Sequence, residues 1–161
     1  MTESVRLVAG DILDLDSVMQ VMEDSFDPAY GEAWSAPQCA GLLPMPGVWL
    51  VLARDGDEVV GFALGRMVLT EAELLLLAVK KKARQRGIGK SLLNRFVEDA
   101  QERGAAKLYL EVRDGNWAVK LYNAGGFEEV GRREKYYTGG DGQIYDSITL
   151  SRTVDGRTGP T

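Results

Sequence analysis

An apolar strand that continues into a basic, glycine-containing loop and then into an amphipathic helix is the sequence feature that most limits the possible fold. Residues 74–79 form an uninterrupted run of six apolar residues, a length that no other run exceeds, which is typical of a central strand buried on both faces. Residues 87–103 place apolar side chains at helical spacing, and Gly104 follows as a helix terminator. A strand, a loop and a helix in this order predict a mixed α/β domain.

The rest of the chain alternates between the period of a strand and the period of a helix. Residues 27–46, which are rich in Pro, Gly and Ala, predict a long surface excursion, and such excursions are often functional. Asp55-Gly56-Asp57 is a hairpin signal between two strands. Strands are predicted over 5–9, 48–54, 58–69, 73–79, 107–112, 127–133 and 144–151, and helices over 12–26, 35–43, 87–103 and 116–124. The predicted order is β, α, α, β, β, β, α, β, α, β, β.

The length of 161 residues predicts one domain, over residues 1–152, followed by a flexible tail over residues 153–161. The apolar runs are far shorter than the roughly 20 residues of a transmembrane helix. The first residues lack the basic and apolar pattern of a secretory signal, so a cytoplasmic location is expected.

Histidine is absent from the sequence, and Cys39 is its single cysteine. These two facts exclude a Ser-His-Asp triad, histidine general bases and most catalytic zinc sites, so no metal is expected. Cys39 is predicted to be a small buried apolar residue. Any chemistry must therefore use carboxylates, tyrosine, lysine, the cysteine, backbone groups or a cofactor.

The formal net charge of −5 argues against binding to nucleic acid or to an anionic membrane. The basic residues are nevertheless concentrated where the apolar strand meets the helix. Gly87 and Gly89 let the backbone approach a ligand there, and the free N–H groups of a first helical turn attract anions. The loop lacks the features of a nucleoside triphosphatase loop or a dinucleotide fold. Six basic residues of this anion-binding loop fall within eleven positions, namely Lys80, Lys81, Lys82, Arg84, Arg86 and Lys90.

Three motifs resemble the GNAT family of N-acetyltransferases. Arg84-Gln85-Arg86-Gly87-Ile88-Gly89, behind Leu77-Ala78-Val79, resembles the acetyl-CoA signature of that family. Leu110-Glu111-Val112-Arg113, Asn116, Leu121-Tyr122 and Gly126-Phe127 resemble the second half of the fold, and Gly131-x-Arg133-x-x-Tyr136-Tyr137 is similar to its RimI-type branch. The resemblance spans residues 5–151. Lys81 stands where the family often carries proline.

The resemblance implies a central, mostly antiparallel sheet of six to seven strands, flanked by about four helices and splayed at an acetyl-CoA site. It implies acetyl-CoA as cosubstrate and no metal. The residues that would contact acetyl-CoA are Leu77, Ala78, Val79, Arg84, Gln85, Arg86, Gly87, Ile88, Gly89, Lys90, Asn116 and Tyr122.

In the RimI-type branch, the glutamate and the tyrosine that correspond to Glu111 and Tyr122 serve as general base and general acid. Attack of an amine on a thioester needs a neutral amine and a proton for the departing thiolate. Glu111, at the end of a predicted strand, can accept a proton, and the phenol of Tyr122 can supply one. Glu73 is the rival base, because other branches of the family use a carboxylate on that strand.

The expected acceptor is the N-terminal α-amine of a protein or peptide, with a ribosomal protein as one candidate. Side chains expected to contact it are Glu32, Trp34, Glu73, Tyr136 and Tyr137. A small-molecule amine such as a polyamine, an aminoglycoside or an amino acid is the alternative acceptor, and a non-catalytic acyl-CoA sensor is a third reading. The oligomeric state stays open between monomer and homodimer.

Overall fold

A seven-stranded sheet is the frame of the molecule in the computed structural model, which describes residues 5–154. Its order is β1-β2-β3-β4-β5-β7-β6, and neighbouring strands run antiparallel except β4 and β5, which are parallel. The strands are β1 (Val5–Gly10), β2 (Val48–Asp55), β3 (Glu58–Val68), β4 (Glu71–Val79), β5 (Lys107–Arg113), β6 (Glu128–Thr138) and β7 (Ile144–Thr153).

The helices cover both faces of this sheet. They are α1 (Leu15–Ser25), α2 (Ala36–Leu42), α3 (Ile88–Glu102) and α4 (Ala118–Ala124), with short 3₁₀ turns at Ile12–Asp14, Pro28–Tyr30 and Lys81–Ala83. Ser35 begins α2 with a capping box, in which its side chain and that of Gln38 bond to each other's backbone N–H. Between residues 5 and 154 no helix is both long and apolar enough to cross a membrane.

The predicted order of strands and helices is confirmed, and the mixed α/β class with it. Most boundaries differ by one to three residues, and two differences change the description of the fold. β6 runs to Thr138 instead of 133, with a register shift between Arg133 and Tyr137. β7 includes Thr153, and Val154 is buried, so ordered structure extends past the predicted boundary at 152. Residues 155–161 of the predicted tail lie outside the described residues.

Two apolar clusters lie on opposite faces of the sheet. On one face, α3 contributes Leu92 and Phe96 to a cluster that also contains Leu108 of β5 and Phe127. On the other face, α1 and α2 pack against side chains of β2, β3 and β4, including Leu52, Phe62, Leu64 and Leu76. Cys39 of α2 is 1% exposed within this second cluster, as predicted. The clusters hold the central strands in place and leave the ends of β4 and β5 to form a site.

The separation of β4 from β5 is the feature of the sheet that creates the site. The two strands pair only over residues 71–74 and 107–110, ending at Leu74 and Leu110. Beyond that point β4 continues to Val79 on β3, while β5 continues to Arg113 on β7. The backbone edges of residues 75–79 and 111–113 therefore face a gap instead of each other.

Candidate active site

A cavity of about 350 Å³ occupies the gap between the two strands. Its walls come from β4, β5, the start of α4, the segment after α1 and the β6 strand. It brings together residues predicted separately for catalysis, acceptor binding and acetyl-CoA binding. Of the predicted residues, it is lined by Glu32, Trp34, Glu73, Leu77, Ala78, Arg84, Glu111, Asn116, Tyr122, Tyr136 and Tyr137. We call this the strand-gap cavity.

The predicted carboxylates in this cavity are each paired with an arginine. Glu111 Oε1 lies 2.9 Å from Nε of Arg133, and Glu73 Oε1 lies 2.8 Å from Nη2 of Arg66. The partner of Glu111 is the more loosely held of these two arginines, because the Arg133 side chain is 60% exposed. An exposed ion pair of this kind is weak and is easily exchanged for another partner.

Strand register separates the two candidate bases, Glu111 and Glu73. Glu73 lies opposite Tyr109 within the paired part of β4 and β5. Glu111 is the first residue of β5 beyond the last pair. Glu111 therefore lies where the gap begins, whereas Glu73 lies two positions earlier along the sheet, in the paired part. Both side chains line the cavity, and they are similarly exposed, at 19% for Glu111 and 17% for Glu73.

Glu32 is the most enclosed of the predicted carboxylates and is fully engaged by the protein. Its Oε1 accepts from Nε of Arg113 at 3.0 Å, and both side chains are 9% exposed. Its Oε2 accepts from Nδ2 of Asn116 at 2.5 Å, while Oδ1 of Asn116 accepts from the N–H of Ala118 at 2.8 Å. The Tyr30 ring covers the Arg113 guanidinium, whose Cζ lies 3.8 Å from the centre of the ring. Glu32 thus fastens the excursion after α1 to the start of the helix that carries Tyr122.

Tyr122 is buried in the wall of the strand-gap cavity, with 6% of its surface exposed. Burial, with smaller contributions from the Glu32 carboxylate and from Tyr137, raises the pKa of Tyr122 above its usual value of 10. Burial likewise raises the pKa of Tyr137 to about 12, with Glu32 and Glu111 adding to the effect. Both phenols are therefore protonated at neutral pH and can donate a hydrogen bond or a proton.

A second cavity of about 430 Å³ lies at the start of α3, and we call it the loop cavity. Gln85 and Gly87 adopt left-handed conformations there, with φ of +63° and +78°. Among residues 5–154, no side chain caps the start of α3. The first N–H groups of this helix are therefore open to an anion. The predicted residues that line the loop cavity are Val79, Arg84, Gln85, Gly87, Ile88, Gly89 and Lys90.

Several cations of the basic loop are held by acidic residues of the β2–β3 hairpin. Lys80 and Lys82 both contact Glu58, at 3.1 and 2.7 Å, and Arg86 contacts Asp55 at 3.2 Å. Arg86 is the predicted acetyl-CoA contact that lines neither cavity. The hairpin therefore offsets part of the positive charge that the sequence places beside the loop cavity.

The segment between α1 and α2 is fastened to the turn between β6 and β7. The N–H of Gly140 donates to the carbonyl of Pro28 at 2.8 Å. Gly31, at φ +69°, packs against the Thr138 carbonyl, and Gly139 packs against the Ala29 carbonyl, with no room for a Cβ at either position. These contacts hold residues 27–34 as one wall of the strand-gap cavity, opposite the separated strands.

Sequence reasoning missed three residues of the site, which are Tyr30, Arg113 and Trp117. Arg113 had a signal, because the period of two along a strand places it on the same face as Glu111. Trp117 directly follows Asn116 and is 51% exposed, which is unusual for a tryptophan. Tyr30 had no local signal. Within residues 5–154, no group of three or more His, Cys, Asp or Glu side chains is placed to hold a metal ion.

Comparison with known proteins agrees with the family resemblance seen in the sequence. The profile of the acetyltransferase (GNAT) family matches residues 15–127. The [ribosomal protein bS18]-alanine N-acetyltransferase of Escherichia coli K12 is 38% identical over 104 residues, which cover 64% of this chain and 69% of that protein. The corresponding enzyme of Haemophilus influenzae is 34% identical over 97 residues, or 60% of this chain and 66% of that protein.

Solved structures agree with the sequence comparisons. The crystal structure of the Escherichia coli ribosomal-protein-S18-alanine N-acetyltransferase superposes with a TM-score of 0.83 at 26% identity, covering 98% of this chain and 99% of that one. Arabidopsis thaliana NAA60, in complex with a bisubstrate analogue, has the same fold, with a TM-score of 0.81 at 22% identity over 94% of this chain and 99% of that one. The predicted splayed, mostly antiparallel sheet is thus the fold of these acetyltransferases.

Proposed function

Because this chain belongs to the GNAT family of acetyltransferases, we propose that it transfers the acetyl group of acetyl-CoA to the N-terminal α-amine of a protein. The observation that carries the proposal is the strand-gap cavity, in which the Glu111 carboxylate and the buried Tyr122 phenol line one space. That space lies beside the loop cavity, with its uncapped helix start. An acid, a base and an anion site in this order suit acyl transfer to an amine.

The residues of the loop cavity fit the phosphates of acetyl-CoA. Gly87, in its left-handed conformation, admits a close approach, and the N–H groups at the start of α3 point their positive dipole at an anion. Val79 and its neighbours present a backbone edge that pairs with no strand on the β5 side. When bound, acetyl-CoA supplies a thioester whose acetyl carbon is open to attack by an amine.

Glu111 and Tyr122 would manage the protons of the reaction. Glu111 lies where the gap between the strands begins and accepts the proton that the amine loses, directly or through water. Tyr122 stays protonated at neutral pH and donates to the departing sulfur. Arg133, which is mostly exposed, can release Glu111 when the acceptor arrives.

The α-amine is the acceptor that demands least of one carboxylate base. Its pKa of about 7.7–8.0 leaves roughly a tenth of it neutral at pH 7, whereas lysine, at about 10.4, is almost wholly charged. The curated relatives are named for the N-terminal alanine of ribosomal protein bS18. We place the first residue of the acceptor in the strand-gap cavity, between Glu111 and the aromatic side chains of Tyr136 and Tyr137, and the protein in the cytoplasm.

The test is release of CoA thiol from acetyl-CoA with three acceptors at equal concentration. These are a peptide that begins Ala-Arg, the same peptide with a blocked N-terminus and one internal lysine, and a polyamine. We expect the free N-terminus to react fastest, and mass spectrometry to place the acetyl group on the first residue. Equal rates with the blocked peptide would overturn the α-amine assignment, and a faster polyamine would indicate a small-molecule enzyme.

A further inference from the structure

Arg84 and Trp117 line both the strand-gap cavity and the loop cavity, so they stand at the passage between the two. The Arg84 guanidinium lies 5.1 Å from the centre of the Trp117 ring, within the range of a cation–π contact. About half of the indole remains exposed, at 51%. An exposed tryptophan beside two cavities is a surface that a ligand can cover.

The Arg84 side chain is fixed by two hydrogen bonds to backbone carbonyls. Its Nε donates to the carbonyl of Val79 at 3.2 Å, and its Nη2 donates to the carbonyl of Ser25 at 3.0 Å. Both bonds are to backbone groups at the ends of β4 and α1. The guanidinium therefore has a fixed position against the Trp117 ring. It interacts with the two carbonyls through hydrogen bonds and with the indole through the cation–π contact.

We infer that Trp117 binds the pantetheine arm of acetyl-CoA and covers it where it passes from the loop cavity to the strand-gap cavity. The inference rests on the proposed function, because that function places the phosphates in one cavity and the thioester in the other. The arm joins these two groups and must pass the Arg84–Trp117 pair. Its chain of methylene and amide groups suits an indole face, which excludes water from apolar atoms.

The position of Trp117 in the chain supports this role. Trp117 directly precedes α4, whose Tyr122 lies in the wall of the strand-gap cavity. Asn116, one residue earlier, is fixed by Glu32 and by the N–H of Ala118. The ring is thus held at the rim by a backbone anchored on both sides, and it can contact the arm without a large rearrangement.

The test compares two ligands by calorimetry, namely CoA and 3′-phosphoadenosine 5′-diphosphate, which is CoA without pantetheine. We expect Trp117→Ala to weaken CoA binding about tenfold while changing the affinity for the nucleotide less than about twofold. Trp117→Phe should recover part of the CoA affinity. The matched control is Ile144→Ala, since Ile144 is 55% exposed, much like Trp117, but lines neither cavity and should leave CoA affinity unchanged.

Indole fluorescence gives a second readout. The difference in emission between the wild type and Trp117→Phe should change on addition of CoA but not of the nucleotide. Equal weakening of both ligands by Trp117→Ala, or none, would overturn the inference while leaving the proposed function in place. Failure of the wild type to bind CoA at all would instead count against the proposed function.

Discussion

Tyr122 combines two properties that a proton donor in this site needs. Its ring is packed edge to face against Phe127, at 6.3 Å between ring centres, so it has a fixed position. Its burial keeps the hydroxyl protonated. The Glu32 carboxylate acts on it through its negative charge, and Glu32, Tyr122 and Tyr137 all line the strand-gap cavity. A chain without histidine thus still has an acid that is ready at neutral pH.

Replacing Tyr122 with phenylalanine tests this role, because the change keeps the ring and removes the hydroxyl. We expect turnover to fall by about 10²- to 10⁴-fold, as is usual when a general acid is lost, with little change in melting temperature. Steady-state kinetics and thermal unfolding measure the two effects. Tyr145→Phe is the control, since its hydroxyl bonds to Gln143 outside the cavity. Near-normal turnover of Tyr122→Phe would assign proton donation to water or to another residue.

At the scale of single residues, local patterns in the sequence predicted part of the site. Glu111, Tyr122 and Gly87 were predicted from motifs that resemble those of the family, and each of the three lines one of the two cavities. The engagement of Glu32 by Arg113 could not be predicted, because the two residues are 81 positions apart and meet only through the fold. Glu32 was expected to contact the acceptor, but both of its oxygens bond to side chains of the protein.

At the scale of elements, the β2–β3 hairpin competes for the cations of the basic loop. Glu58 bonds to Lys80 and to Lys82, and these contacts lower its pKa. We expect Glu58→Gln to release positive charge toward the loop cavity and to tighten CoA binding by less than about tenfold, since exposed ion pairs are individually weak. Calorimetry at low and high salt measures the change. Asp57→Asn in the same turn is the control, and weaker binding by Glu58→Gln would contradict the proposed competition.

The wall formed by residues 27–34 depends on its close contact with the β6–β7 turn. Gly139→Ala would drive a Cβ into the Ala29 carbonyl, so the wall must shift. Overpacking of this kind costs about 1–3 kcal/mol, or a fall of about 2–12 °C in melting temperature for a domain of this size. We expect faster proteolysis within residues 27–34 and lower activity. Gly131→Ala on β6 is the control, since its Cβ would meet Thr149 no closer than 3.9 Å.

The sequence predicted an apolar strand more accurately than a polar one. β4, with its apolar run, was placed correctly at the centre of the sheet. β6 is exposed along most of its length and shows no alternation of apolar residues. It is held by pairing with β7 and by Arg132, which contacts Asp114 at 2.7 Å and Asp146 at 2.9 Å. Such contacts between distant residues leave no periodic signal in the sequence.

At the scale of the whole molecule, the sheet has two parts with different surroundings, which are β1 to β4 and then β5, β7 and β6. The part from β1 to β4 contributes to an apolar cluster on each face, and the cluster that contains α3 continues onto β5 and β7. The face of β5, β7 and β6 that bears Glu111 and Arg113 is polar, and it supplies one side of the strand-gap cavity. The parallel β4–β5 pair joins the two parts and stops early. The fold therefore places the basic loop beside a polar surface.

This arrangement predicts how the rate depends on pH. For a free N-terminal peptide, kcat/KM should rise about tenfold per pH unit below the α-amine pKa of about 7.7–8.0 and then level off, because more of the acceptor is already neutral. A blocked lysine peptide should react far more slowly at pH 7, and its rate should keep rising toward pH 10. An equal plateau for both peptides near pH 8 would contradict an α-amine acceptor.

The alkaline side of the same profile tests the state of Tyr122. A phenol with an ordinary pKa would lose its proton near pH 10, and the rate would fall there. Burial raises the pKa of Tyr122 and raises that of Tyr137 to about 12, so we expect a level rate up to pH 10. A raised phenol pKa stabilises the fold fully below the unfolded value near 10, and that stability is lost as pH rises through the folded value. Any fall of the rate above pH 10 should therefore coincide with unfolding, which circular dichroism detects. A fall of the rate with an apparent pKa below 10, in protein that is still folded, would show that the donor is not a buried phenol.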